Sequence, residues 1–158
     1  MIEVVSPATV EHALSMINRI RAEDINEHAK LVSPYTTMED TLRGSVSISE
    51  KSWAGVVDGV VICICGVAPI PQMPGSGAVW LISTYDMELH STEFLKKSRS
   101  ILVEMLQVFP HLWNYADVAN TRALQWLQWL GFSIHEPIPY GPYGYPFHFF
   151  EIRRPDHV

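Results

Sequence analysis

Cysteine is nearly missing from this chain: Cys63 and Cys65 are the only two in 158 residues. Their i, i+2 spacing puts both on one face of a strand, where neighbouring positions rarely suit a disulfide. No second Cys or His pair stands at the spacing of a zinc site, so no metal is expected. The two thiols read as small buried hydrophobes in a reducing, cytoplasmic setting. Positive charge is scarce as well. Eleven Lys and Arg face seventeen Asp and Glu, a formal net charge of −6. That balance argues against nucleic acid as a partner, because phosphates would be repelled at long range. Long apolar runs are lacking. The longest, "GVVICICGVAPIP", is too short to cross a bilayer and ends in prolines. The opening "MIEVVSPATVEH" has neither the basic start nor the apolar stretch of a signal peptide. Gly75-Ser76-Gly77 falls short of a G-x-S-x-G elbow, and there is no P-loop and no G-x-G-x-x-G.

What is present suits a single globular domain over residues 1–158: 47% of the residues are hydrophobic and 18% charged. "IEVVS" reads as a short strand. Thr9 then opens a helix with Val10, Leu14, Ile17 and Ile20 at helical spacing. "RAEDINEHAKLVSP" continues as a more polar helix or loop. "TTMEDTLRGSVSIS" reads as a helix capped by Thr36 or Thr37. Asp58-Gly59 lies between two β-branched runs and predicts a type I′ hairpin of Trp53–Val57 with Val60–Ala68. After the loop "PIPQMPGSG" comes a strand, "AVWLIST". A long helix, "STEFLKKSRSILVEMLQVF", follows, capped by Ser91 or Thr92, with Phe94, Leu95, Ile101, Leu102, Met105 and Leu106 on its core face. "LWNYADV" is a strand, and "NTRALQWLQWLGF" is a helix stopped by Gly131. "FSIHEPI" and "FHFFEIRR" are strands around the loop "PYGPYGYP", and the tail "PDHV" is expected to fray. Trp113, Trp126 and Trp129 read as packing residues, with Trp126 and Trp129 on one helix face. The order predicts an α/β (α+β) fold, a mixed sheet of about six to seven strands flanked by helices.

That order resembles the GNAT superfamily of acyl-CoA-dependent N-acetyltransferases, over nearly the whole chain. The resemblance is sharpest at "ADVANTRALQWLQWLGF". The family pattern N-x-x-A-x-x-L-Y-x-x-x-G-F is matched by Asn120, Ala123, Gly131 and Phe132, with Trp126 at the apolar site. Asn120 is read as the helix cap at a strand end where the sheet splays. The segment Phe94–Phe132 is also similar to a family of uncharacterised tailed-phage and prophage proteins that includes an internal virion protein. Leu112, Asn114, Ala116, Asn120, Leu127 and Gly131 carry that likeness.

The resemblance implies acetyl-CoA or another acyl-CoA along splayed strands Ala78–Thr84 and Leu112–Val118. Leu81, Ile82, Ser83, Ser91, Thr92 and Asn120 would touch it, Asn120 at the pantetheine arm. It implies an amine acceptor, small or on a protein. The family's glycine-bearing pyrophosphate loop falls at "TYDMELHSTEF", which holds no glycine and carries Asp86, Glu88 and Glu93. Each exposed carboxylate there would oppose an anion by roughly 1 kcal/mol. Lys96, Lys97 and Arg99 lie one to two turns on. The family's usual acid, a tyrosine, is Leu127 here. Tyr115, Tyr140, Tyr143 and Tyr145 are the available substitutes, the last three also as lining of an acceptor pocket together with Asp24. Asp117, Glu23, Asp24, Glu27, His90, His111 and His135 are the candidate bases. Two functions stay open. One is transfer of an acyl group to an amine; the other is a non-catalytic protein on the same fold, meeting a phage or host protein, in a virion or in the cytoplasm.

Overall fold

The computed structural model describes residues 1–155; the last three residues of the expected frayed tail lie outside them. Seven strands form one mixed sheet in the order β1-β2-β3-β4-β5-β7-β6. They are β1 Glu3–Val5, β2 Lys51–Val57, β3 Val60–Pro69, β4 Ser76–Ser83, β5 His111–Asp117, β6 Ser133–Tyr140 and β7 Tyr145–Arg153. The helices are α1 Val10–Ser15, α2 Ala22–Ala29, α3 Met38–Ile48, α4 Ser91–Val108 and α5 Thr121–Leu130, and a 3-10 turn, Tyr85–His90, precedes α4.

Local chemistry accounts for many of the boundaries. Asp58 and Gly59 take φ of 49° and 79°, the left-handed pair that a tight hairpin between β2 and β3 needs. Thr9 and Thr37 each build a capping box, with His12 and Asp40 as the returning partners. Gly131 ends α5 at φ 104°, and the next amide, Phe132 N–H, reaches back to Leu127 C=O at 3.0 Å, closing the helix end.

One face of the sheet is covered by α1 and α3, where Ala13, Met16 and Leu42 meet Ala54 and Ile64. The opposite face is covered by α4 and α5, where Leu102, Met105 and Leu106 meet Trp53, Val67, Leu112 and Phe150. Burying each such aliphatic side chain contributes about 1.5–3 kcal/mol. Cys63 is buried and Cys65 partly so, both free thiols. Burial pushes the Cys63 thiol up to about 12, so it is inert at neutral pH.

Several expectations need correction. Helix α1 stops at Ser15 instead of running to Ile20. The chain leaves it to dock on β4, where Arg21 N–H donates to Ser83 C=O at 3.0 Å. Neither Ser91 nor Thr92 caps α4: the 3-10 turn runs straight into the helix, and His90 holds the cap position without a side-chain bond. Asn120 holds the cap position of α5, yet its side chain makes no cap bond. Trp126 is buried, while Trp129 is 44% exposed under the Arg99 guanidinium, 4.1 Å from its ring centroid. Half of "PYGPYGYP" is strand: the turn is confined to residues 141–144, where Gly141 and Gly144 supply the positive φ, and the outer strand β6 accommodates Pro137 and Pro139.

Candidate active site

The sheet splits between β4 and β5. These parallel strands pair only at Ser76↔His111, Gly77↔Leu112 and Ala78↔Trp113. Beyond that point β4 stays with β3 to Ser83, and β5 stays with β7 to Asp117. Asn114 marks the fork: its Nδ2 donates to Val79 C=O at 2.7 Å, replacing the next backbone partner. By the two-residue alternation of a strand, Val79, Leu81 and Ser83 direct their backbone groups toward the gap.

Helix α2 laces the far end of the split. Asp24 Oδ2 accepts from Ser83 N–H at 3.0 Å and from Ser83 Oγ–H at 3.3 Å. Asp24 Oδ1 accepts from Asn120 Nδ2 at 3.2 Å. Glu27 Oε2 accepts from Asp117 N–H at 2.9 Å and from Asn120 Nδ2 at 3.4 Å. Asn120 Oδ1 accepts from Arg21 Nη2 at 3.3 Å. Lys30 Nζ donates to the buried Asp117 carboxylate at 2.7 Å. Asn120 therefore joins α2 to the start of α5, its side-chain oxygen turned to Arg21 and not to the helix amides.

Between fork and lacing lies a cavity of about 370 Å³ that passes through the split. His28, Leu31 and Tyr115 border it on one side of the sheet, and Phe94, Ile101 and Leu127 on the other. Arg21, Asp24, Glu27 and Asn120 form its polar end. Burial pushes the Glu27 carboxyl up to about 7, reinforced by the Asp24 and Asp117 charges and opposed by the Asp117 amide and Asn120. Burial also holds Asp24 above its usual value, against the pull of the Ser83 amide and Arg21. A carboxyl near 7 exchanges a proton readily at neutral pH, as a general base must.

The expected residues scatter around this centre. Asp117 sits beside it but is committed to Lys30. Glu23 is at the rim, paired with Arg21 at 3.2 Å and with its own amide holding its carboxyl below the usual range. Tyr115 stacks on Tyr140 with centroids 3.7 Å apart. Tyr143 and Tyr145 line a second, open cleft of about 560 Å³ with Glu23, Lys30 and Asp117. His111 lies at the opposite end of β5 from Asp117 and bonds Ser76 and Glu151, which His135 also bonds. Of Leu81, Ile82 and Ser83, only Leu81 keeps free edge groups by this alternation: Ile82 pairs toward β3, and the Ser83 amide and carbonyl are held by Asp24 and Arg21. Glu27 is the residue that sequence reasoning left undistinguished among three neighbouring acids.

The end of α4 is built from carboxylates in ion pairs. Asp86 meets Arg19 at 3.2 Å, and Glu88 meets Arg122 at 3.8 Å. Glu93 accepts from Ile2 N–H at 2.8 Å. Lys97 borders the cavity. Among the described residues no helix is long and apolar enough to cross a membrane.

Split, crossing helix and strand order together define the fold of the GNAT N-acetyltransferases. Solved structures agree. An acetyltransferase of the GNAT family from Streptococcus pneumoniae is 14% identical, with 97% of this chain and 100% of that one covered, at a TM-score of 0.57. The ribosomal-protein-S18-alanine N-acetyltransferase of Escherichia coli is 13% identical, with 100% and 99% covered, at 0.64. A ribosomal L7/L12 α-N-protein acetyltransferase in complex with coenzyme A is 9% identical, with 97% and 94% covered, at 0.67. No protein-family model and no curated protein matches the chain.

Coenzyme A fits this chain poorly at its phosphate end. An anion at a helix start needs open amides and tolerable charge. Here a 3-10 turn with Asp86 and Glu88 precedes α4, and Glu93 lies in its first turn.

Proposed function

We propose that the chain is an N-acyltransferase relative that handles an amine at the β4–β5 split, with Glu27 as proton acceptor. The carrying observation is the Glu27 carboxyl, pushed up to about 7 at the polar end of the cavity. Asp117 N–H and Asn120 hold its Oε2, so Oε1 is the oxygen left to meet an ammonium or amine proton. Asp24 and Glu23 add negative charge that favours a cationic acceptor. The acyl donor is one that does not depend on pyrophosphate held at α4. Asp117, Tyr115 and Glu23 then act around Glu27 rather than as the base.

A second reading is favoured by the ion-paired carboxylates at α4 and by Leu127 at the tyrosine position. It is a non-catalytic protein whose surface meets another protein. The likeness of Phe94–Phe132 to phage and prophage proteins, read from the sequence alone, makes a phage or host protein the partner of this reading, in a virion or in the cytoplasm.

One assay separates the two. The protein is incubated with a primary-amine panel and either acetyl-CoA or acetyl-pantetheine, and thiol release is followed. The first reading expects amine-dependent release, at least as fast with acetyl-pantetheine, and about 100-fold slower in Glu27→Gln. No amine-dependent release with either donor sinks it and leaves the second.

A further inference from the structure

The solvent side of α4 and α5 carries an aromatic and basic seam that neither the core nor the split uses. Trp129 is 44% exposed, although a ring of this size on a helix is ordinarily turned inward. The Arg99 guanidinium lies over it, 4.1 Å from the ring centroid, and its Nη2 donates to Trp129 C=O at 3.3 Å. Val103, one turn further along α4, is 57% exposed. Lys96, one turn before Arg99, is exposed as well. Positions 96, 99 and 103 share one stripe of α4 at helical spacing, and the Arg99–Trp129 contact sets that stripe beside α5.

The free charge on this seam is of one sign. The ion pairs among the described residues are made by other cations, and Lys96, Lys97 and Arg99 enter none. Glu104 is the exposed acid of α4; five residues past Arg99, it points about 140° away around the helix. On α5 the exposed Gln125 and Gln128 are neutral, and Arg122 is already paired with Glu88. The chain as a whole has a formal net charge of −6, so an unpaired basic stripe is a local reversal of sign. Lys97 borders the split cavity, whereas Lys96, Arg99, Val103 and Trp129 do not. The seam is therefore separate from the space between β4 and β5.

A ring under a fixed guanidinium suits the anchoring of a partner. Trp and Arg are the residues that most often dominate binding at interfaces. Ring and carbonyl hold Arg99 in place, so little side-chain freedom is lost on docking. The bond to Trp129 leaves other N–H donors of the guanidinium to meet a carboxylate. Nucleic acid does not suit the seam, because a few cations stand on a chain that repels phosphate overall. A second copy does not suit it either, since a two-fold contact would set one basic stripe against another. An acidic protein segment does suit it. Its carboxylates meet Lys96 and Arg99, and an apolar side chain between them covers Trp129 and Val103. The rest of the chain repels such a segment and so confines it to the seam. We propose that the α4–α5 seam is a docking site for an acidic protein segment with an apolar anchor. This goes beyond both readings of the split, since an enzyme and a non-catalytic protein can each dock a protein there.

The test pans a random-peptide display library on the full chain and, in parallel, on Arg99→Glu. The wild type is expected to enrich peptides with Asp or Glu beside Leu, Phe or Trp, and the variant is expected to lose them. The most enriched peptide is then synthesised and titrated by calorimetry. Arg99→Glu and Trp129→Ala are each expected to weaken it at least about 10-fold. Raising NaCl from about 0.05 M to about 0.5 M is expected to weaken it at least about 5-fold. Arg43→Glu makes the same change of charge on α3, across the sheet, and is expected to leave binding within about 2-fold. Circular dichroism checks each fold; should Arg99→Glu not fold, Lys96→Glu takes its place. No enrichment, enriched peptides without acids, or binding that survives both seam variants each overturns the proposal. Displacement of the peptide by oligo-dT, or a dimer in ultracentrifugation that Trp129→Ala dissolves, overturns it in favour of nucleic acid or a second copy. Thiol release at the split is measured without the peptide, so failure here leaves both readings of the split standing.

Discussion

Glu27→Gln should remove a pH-dependent weakness from the fold. A glutamate carboxyl ordinarily near 4.5 is pushed up to about 7 here. The gap is worth about 3 kcal/mol at roughly 1.4 kcal/mol per unit. The folded chain holds this proton more tightly than the unfolded chain does. Stability from this group is therefore complete below pH 4.5 and is lost as pH rises through 7. Roughly 2.5 kcal/mol of the loss falls between pH 5 and pH 8. Asp24, also raised by burial, adds a slope of the same sign that persists in the variant. Glutamine keeps an oxygen for the Asp117 amide and has an NH₂ to offer the neighbouring carboxylates, so the hydrogen bonds need not be abandoned. Urea unfolding at pH 5 and pH 8 gives the answer. The variant should gain on the wild type by about 2 kcal/mol or more on going from pH 5 to pH 8. A difference between the two proteins that is the same at both pH values refutes a raised Glu27, and with it the base assigned to the split. A stabilised protein with slower thiol release would be the usual exchange of stability for activity at a working site.

Three further outcomes follow from the geometry. Lys30→Met strands the Asp117 carboxylate, 1% exposed, and should cost about 3 kcal/mol in chemical denaturation. Thr37→Ala removes one half of the α3 capping box and should cost about 1 kcal/mol, seen as a lower thermal midpoint. Gly131→Ala forces a side chain onto φ 104° and should cost about 1–2 kcal/mol by the same measurement, although only Ile152 Cδ1 stands within contact at 3.8 Å.

The fold was largely legible because its punctuation is local. Asp58-Gly59, the threonine caps and Gly131 act through their own backbone, and the helical stripe of α4 is read directly from spacing. The misread positions depend on distant partners. Ser91 and Thr92 look like caps until the 3-10 turn absorbs the helix start, and Asn120 looks like a cap until α2 claims its side chain. Glu23, Asp24 and Glu27 are three acids on one short helix. Only the docking of α2 against Ser83 and Asp117 decides which carboxyl faces the split. The cavity itself has no sequence signal, since it is the gap left where two strands part.

The outer strands carry a consequence for the molecule in solution. On one side β6 bears Pro137 and Pro139, which have no amide hydrogen to offer a newcomer. On the other side β1 is three residues long, too short a template to hold one. Chains at high concentration thus find no ready ladder on which to stack. The sheet can part in its middle without inviting strangers at its margins.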